Sequence, residues 1–191
     1  MEILFATSNK GKVQEAADIL KKIDIRLTHF PFEYRELRSD SLEEIAEDAV
    51  KEAHRRCGKP VFVEDAGLFI DALDGFPGTF SGWVQKKIGN MGILKLMDGV
   101  EEKRRSARFE ARIAYHDGER ITIHPGTCKG LIAKEARGTG GFGYDPIFVP
   151  EGHSQTFAEN IQLKNNLSHR YKSLLGFSKI ISEKPLISAQ D

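Results

Sequence analysis

The chain has 191 residues, of which 40% are hydrophobic and 29% charged, and its 28 basic residues balance 28 acidic ones. This length and composition predict a single folded domain and exclude wholesale disorder. A formal net charge of zero argues against non-specific binding to nucleic-acid polymers, which requires a positive field. Cys57 and Cys128 are far apart, which is typical of a reducing cytosol rather than a disulfide framework. With neither a signal peptide nor an apolar run of about 20 residues, we expect a cytoplasmic protein without a membrane span.

Hydrophobic periodicity predicts alternating strands and helices in the first half of the chain. Short apolar strands are predicted at 3–6, 25–30 and 61–63, each ending in polar or turn residues. A helix follows the first strand, and another begins at the capping box Ser41-Leu42-Glu43-Glu44. The segment 75–82 is rich in glycine and proline and is predicted to be a loop.

The second half of the chain is predicted to contain a long hairpin and a final helix. A short helix at 93–97 precedes an alternating strand at 108–115, and Asp117-Gly118 is a hairpin turn before the return strand. Apolar residues between Leu167 and Leu175 mark the last helix. The combined pattern predicts an α/β fold with a mixed sheet.

The segment TSNKGK, Thr7–Lys12, joins the first strand to the first helix. A strand, polar turn and helix start direct free backbone N–H groups toward an anion, and Lys10 and Lys12 add positive charge. Either Ser8 or Asn9 can cap the helix, while Gly11 permits close backbone approach. Without a second glycine this is no Walker A loop. An ordinary capped helix with two solvated lysines is the alternative.

Two adjacent acids, Glu64 and Asp65, follow the apolar residues 61–63. Their side chains point to opposite faces of a sheet, so at most one faces a given pocket. Carboxylates at the ends of strands are common ligand and metal contacts in α/β proteins, and Mg²⁺ prefers such oxygens. Glu36 could be a second ligand. The alternative is a pair of solvated acids.

The glycines of GTGGFGYDP, at 138–146, match a dinucleotide-binding pattern, but no helix follows, because Asp145-Pro146 continues as an extended segment. We expect a loop that presents Phe142 and Tyr144 for stacking on a nucleobase. Both rings could instead belong to the core.

Lys164, His169 and Arg170 surround the start of the last predicted helix. Arginine only donates hydrogen bonds, so Arg170 could bind phosphate or the keto oxygen of a 6-oxopurine and reject adenine. His169 alone is more typical of a structural histidine.

Together these segments resemble the inosine triphosphate pyrophosphatase family. The resemblance rests on TSNKGK, VEDAGLFIDALDGFPGTFSGW (63–83), GTGGFGYDPIFVPEG (138–152), TFAE (156–159) and KNNLSHR (164–170) in that order. It implies the family's elongated, curved mixed β-sheet flanked by helices, a Maf/inosine triphosphatase-like fold of two lobes with a central cleft over residues 1–191. It also implies a homodimer.

The resemblance further implies a role for each candidate site residue. Asp65 is the catalytic residue and, with Glu36, a ligand of Mg²⁺. Ala66 contributes its backbone, although many relatives have Ser or Thr there. Substrate contacts come from Thr7, Ser8, Asn9, Lys10, Gly11, Lys12, Phe142, Gly143, Tyr144, Asp145, Lys164, His169 and Arg170.

The reaction implied is hydrolysis of a deaminated purine nucleoside triphosphate (ITP, dITP or XTP) to the monophosphate and pyrophosphate. Water oriented by Asp65 attacks the α-phosphorus, although a carboxylate that ligates Mg²⁺ is a poor base. Two alternatives stay open: a Maf-like pyrophosphatase with a different base preference, and a nucleotide sensor without turnover. A kinase or ATPase is disfavoured because no P-loop is present, and a structural protein leaves the glycines and acids unexplained.

Overall fold

The structure is a computed structural model that describes residues 2–34 and 37–183. Within these residues the sheet consists of β1 (Glu2–Thr7), β2 (Arg26–Pro31), β3 (Val61–Ile70), β4 (Pro77–Gly78), β5 (Ser106–His116), β6 (Ile121–Ile132) and β7 (Phe148–Pro150). The strand order is β2-β1-β3-β5-β6-β7, with β4 paired to β3. The β1 strand is parallel to β2 and β3, and the other pairs are antiparallel. The predicted mixed α/β sheet is therefore confirmed.

Five α-helices accompany the strands in the described part of the chain: α1 (Lys10–Lys21), α2 (Leu42–Cys57), α3 (Ser81–Leu96), α4 (Ile161–Leu167) and α5 (His169–Glu183). The predicted caps are confirmed. The Asn9 side chain accepts from the N–H of Lys12, and that of Ser41 accepts from the N–H of Glu44. Each cap satisfies one backbone donor of a first helical turn. None of the described helices is long and apolar enough to span a bilayer.

The helices cover both faces of the sheet. The α1 and α5 helices enclose one cluster around Phe5, Phe62 and Phe177, whereas α2 packs on Val61 and Val63 from the other side. Because successive strand residues point to opposite faces, Glu64 continues the face of Phe62, and the next residue continues the face of Val63.

The β3 strand is longer than predicted. It pairs with β1 only at its start, through Val61 and Phe62, and then continues to Ile70 against β5. The prediction that the paired acids stand at the end of a strand is therefore wrong, because the ladder with β5 continues past them. The last part of β3 contacts β4 closely: a Cβ on Gly67 would lie 2.4 Å from the carbonyl oxygen of Gly78.

Two helix predictions also need correction. The α3 helix begins at Ser81, inside the predicted loop, and far exceeds the predicted 93–97 helix; a break at Gly89 divides it. The last helix begins at His169, so Lys164 precedes it as predicted, but a further short helix, α4, was not predicted and contains Lys164. Glycines at 82, 89 and 92 conceal the helical periodicity of α3.

Candidate functional site

The TSNKGK segment forms the turn between β1 and α1. The hydroxyl of Thr7 accepts from the N–H of Asn9 at 3.2 Å, which fixes the turn. Ser8, Asn9 and Lys10 are exposed. The start of α1 is thus open to solvent, and its backbone donors and dipole suit an anion.

Lys12 points away from this open turn. Its ammonium lies 2.8 Å from the backbone carbonyl oxygen of Glu64 and 2.8 Å from the Oε2 atom of the same residue. The alternative of two solvated lysines therefore fails for Lys12, although Lys10 is exposed. Instead Lys12 ties the TSNKGK segment to the middle of β3.

Beyond Glu64, buried charges continue in alternating sign. The guanidinium of Arg170 lies 3.0 Å from Glu64 Oε1 through Nη2 and 2.7 Å from Glu15 Oε2 through Nη1. The ammonium of Lys164 lies 2.9 Å from Glu15 Oε2 and 2.7 Å from Asp145 Oδ2. We call the six side chains from Lys12 to Asp145 the ion chain; it contains three cations and three carboxylates.

Burial and neighbouring charges decide the protonation states of the residues in the ion chain. Burial acts to raise the pKa of Glu64, but Arg170 and Lys12 outweigh it and lower that pKa to about 2. The pKa of Glu15 is lowered for the same reason, with Arg170 as the largest favourable partner. Asp145 differs, since burial outweighs the attraction of Lys164 and raises its pKa.

His169 lies beside the ion chain but is not one of its charged members. Its ring is buried and stacks on Phe109, with 4.6 Å between ring centroids. Burial, assisted by the charge of Arg170, lowers the pKa of His169 to about 3. The imidazole is therefore neutral near pH 7.

Phe142 brings the glycine-rich loop against both the ion chain and the TSNKGK segment. Its ring centroid lies 4.1 Å from the ammonium of Lys164 and 5.5 Å from the guanidinium carbon of Arg170. A Cβ on Gly11 would lie 2.9 Å from Phe142 Cδ1, so glycine is what permits this approach. The N–H of Phe142 donates to Asp145 Oδ2 at 2.7 Å. The structure thus brings together three segments that are distant in sequence.

Tyr144 does not lie beside Phe142 on the loop surface. Its ring belongs to the buried cluster around Phe148, and its hydroxyl donates to the carbonyl oxygen of Ser81 at 3.0 Å. The prediction that the loop presents this ring to a nucleobase is wrong, because the ring packs in the interior of the protein. Gly143 is half-buried, and its carbonyl oxygen accepts a hydrogen bond from the side chain of Gln85 on α3.

The remaining candidates lie on or near β3. Asp65 and Ala66 are half-buried and stand opposite Arg112 and Ala111 in the ladder with β5. By strand alternation Asp65 occupies the face opposite to Glu64, as predicted. Glu36 lies outside the described residues.

Sequence reasoning missed Glu15 and gave no role to Glu64. Glu15 lies four residues before Ile19 on α1, and both side chains are buried. An acid at helical spacing from an apolar residue on the core face requires a buried cation as partner. That signal was available, but the identity of the cation depends on where α4 and α5 pack.

Known proteins match both the sequence and this geometry. The model of the Ham1 family matches residues 3–180. The dITP/XTP pyrophosphatase of Thermococcus kodakarensis is 46% identical over 96% of this chain and 98% of its own length. The dITP/XTP pyrophosphatase of Methanopyrus kandleri is 48% identical over 94% of this chain and 95% of its own.

A solved structure agrees with the fold. The structure of a HAM1 protein from Coxiella burnetii superposes with a TM-score of 0.81 and 31% identity, covering 96% of this chain and 100% of that one. The family resemblance predicted from the motifs is thereby confirmed, and the chain belongs to the Ham1 family.

Proposed function

We propose that this protein hydrolyses deaminated purine nucleoside triphosphates, namely ITP, dITP and XTP, to the monophosphate and pyrophosphate. The observation that carries the proposal is the position of Phe142, whose ring contacts Gly11 of the TSNKGK segment on one side and Lys164 on another. The ring that we expect to stack on the base thus adjoins an anion site for a polyphosphate. The relatives named dITP/XTP pyrophosphatase, nearly half identical over almost the whole chain, support the choice of substrate.

In this proposal the exposed part of Thr7–Lys12 binds the triphosphate, and the backbone of Ala66 contacts the substrate beside it. Phe142, Gly143, Tyr144 and Asp145 form the base and sugar side, with Tyr144 contributing only its backbone because its ring is buried. Lys12 acts mainly by holding Glu64. The ion chain keeps these groups in fixed positions before substrate arrives, which lowers the cost of reorganisation during reaction.

Base selection in the proposal depends on Lys164, His169 and Arg170. The Nη1 atom of Arg170 donates to Glu15 and the Nη2 atom donates to Glu64. Among the described residues, Arg170 Nε and His169 Nδ1 are buried polar atoms without a hydrogen-bond partner. A 6-oxopurine offers an acceptor where adenine offers a donor, so the unpaired N–H of Arg170 Nε favours the oxo base.

We further propose that Mg²⁺ is the cofactor and that Asp65 and Glu36 hold it. The carboxylate of Asp65 is a suitable hard oxygen ligand, and Mg²⁺ commonly needs only one or two carboxylates besides phosphate oxygens. When bound, the ion neutralises charge on the phosphates and on the leaving pyrophosphate. Asp65 then orients the water that attacks the α-phosphorus.

The test of these roles is an Asp65→Asn variant assayed for pyrophosphate release from dITP with Mg²⁺. We expect turnover to fall by at least about 100-fold, while the thermal unfolding temperature stays near that of the parent. Asp98→Asn, which alters an exposed acid, is the matched control. Near-parental turnover in Asp65→Asn would exclude Asp65 as the catalytic residue.

The same assay distinguishes the competing functions. A nucleotide sensor binds dITP without releasing pyrophosphate, and a Maf-like pyrophosphatase releases it faster from other bases. Glu36→Gln should raise the Mg²⁺ concentration needed for half-maximal activity if Glu36 is a metal ligand. We also propose that the protein is cytoplasmic and forms a homodimer of two-lobed subunits. Sedimentation equilibrium tests the dimer, which should have twice the 21.4 kDa mass of one chain.

A further inference from the structure

The break in α3 has a geometry that only glycine adopts readily. Gly89 has φ of 60° and ψ of −167°, a region that side chains with a Cβ disfavour strongly. In an uninterrupted helix, residues five positions apart differ by about 140° around the axis and so point to different sides of the helix. The break changes this for the residues on either side of it.

Gln85 and Asn90 both donate to a single oxygen. The carbonyl oxygen of Gly143 lies 2.9 Å from Gln85 Nε2 and 3.1 Å from Asn90 Nδ2. The same Nε2 atom lies 3.4 Å from Asn90 Oδ1. This arrangement defines both amide orientations, because the opposite assignment would place an oxygen against a carbonyl oxygen.

The carbonyl that they hold belongs to the loop at the proposed base site. Gly143 follows Phe142 directly, and Asp145 accepts from both the Phe142 N–H and Lys164. The hydroxyl of Tyr144 donates to Ser81 at the start of α3. The loop is therefore held by α4 through Lys164 and by α3 through three side-chain hydrogen bonds.

We propose that Gln85 and Asn90 are positioning residues that hold the Phe142–Asp145 loop in its binding conformation, and that Gly89 breaks α3 so that both can do so. This inference rests on the proposed function. Neither amide needs to contact the substrate, since both act through Phe142. Asp65 and Lys12 lie on other elements, so the chemical step is not affected by these two residues.

The expected kinetic signature is a change in KM without a change in kcat. If the loop is disordered in part of the free enzyme, the substrate must order it on binding. The apparent dissociation constant then equals the intrinsic constant divided by the fraction of molecules in which the loop is ordered. Gln85→Met preserves the length of the side chain but removes the donor, and Asn90→Leu does the same. Each should raise KM for dITP by about two- to tenfold, with kcat unchanged within about twofold. Met91→Ala, on the exposed side of the same helix, should leave both constants unchanged.

An independent readout does not require activity. We expect the amide N–H of Phe142 to exchange with deuterium faster in Gln85→Met and Asn90→Leu than in the parent and Met91→Ala, as measured by NMR at matched stability. Parental exchange rates would overturn the proposal, and so would faster exchange with an unchanged KM. If the parent releases no pyrophosphate, the proposed function fails, whereas the exchange rates still decide whether α3 holds the loop.

Discussion

The ammonium of Lys12 lies 2.8 Å from the main-chain oxygen of Glu64 and equally far from its carboxylate. This one residue therefore connects the start of α1 to the middle of β3, and through Glu64 to Arg170 on α5. A change at any of these positions is transmitted to the others, because each buried charge depends on its neighbours for compensation.

Lys12→Met should impair both stability and activity. The Oε2 atom of Glu64 loses its closest cation, which costs about 1–3 kcal/mol in the free energy of unfolding, and kcat/KM should fall by about 100-fold. Urea unfolding and pyrophosphate release measure the two effects. Lys10→Met is the matched control for stability, since Lys10 is exposed; equal unfolding free energies for the two variants would refute this role of Lys12.

Arg170→Ala should destabilise the protein far more than removal of an exposed arginine. It leaves Glu15 and Glu64 buried without the cation between them, which costs about 3–5 kcal/mol. Among molecules that still fold, the preference for ITP over ATP should diminish. Arg104→Ala, at an exposed site, is the control that measures the stability change on removal of an exposed arginine. A full preference in folded Arg170→Ala would move base selection to other groups.

Gly11→Ala should separate stability from activity. Alanine favours the helical conformation of α1 by up to about 1 kcal/mol, but its Cβ would lie 2.9 Å from the Phe142 ring and displace it. We expect a raised KM with little loss of stability. Gly82→Ala makes the same change in α3, where an added Cβ meets nothing within 4 Å, and it should leave KM unchanged. Equal KM values for both variants would contradict the contact.

The stability of the protein should fall as pH is lowered from neutrality. The pKa of His169 is about 3 in the folded protein against an ordinary 6.5, so the unfolded chain binds more protons between these values. Stability is thus lost across that window by up to about 1.4 kcal/mol per pH unit.

The carboxylates add two further effects. The stabilisation from ionised Glu64 is fully present above its ordinary pKa of 4.5 and is lost as pH falls toward its folded pKa of about 2. Asp145, whose pKa is raised from 3.8, opposes this trend, because its contribution declines as pH rises through its folded pKa.

Urea unfolding of the parent and of His169→Asn between pH 4 and pH 7 isolates the histidine. Burial also lowers the pKa values of His116 and His124, so both proteins retain a slope, and the difference between them belongs to His169. We expect the variant to show the smaller slope. His153→Asn, at an exposed position, should match the parent. Identical slopes in all three proteins would show that His169 is not held neutral by burial.

The sequence was informative wherever a local rule decides the structure. Asn9 and Ser41 were identifiable as caps, and alternation predicted the β5–β6 hairpin, because caps and pleats depend on near neighbours. The start of α3 at Ser81 and the short helix α4 were not predicted, because packing rather than local sequence decides that these segments are helical. Tyr144 was assigned to the loop surface, although its ring is buried by contacts with segments far along the chain.

The candidate site shows the same limit. Family motifs identified Lys164 and Arg170, but not that both bind Glu15, which lies 155 positions before Arg170 in the sequence. Such partnerships arise only when α1, α4 and α5 assemble on one face of the sheet. For that reason the sequence predicted which residues matter more reliably than how they are paired.

The most direct test of the central claim is identification of the phosphorus-containing products of dITP, XTP and dATP by ³¹P NMR in the presence of Mg²⁺. We expect one pyrophosphate for each dIMP or XMP formed, no orthophosphate, and much slower turnover of dATP. Release of orthophosphate with formation of a nucleoside diphosphate, or equal rates for dATP and dITP, would contradict the proposed function.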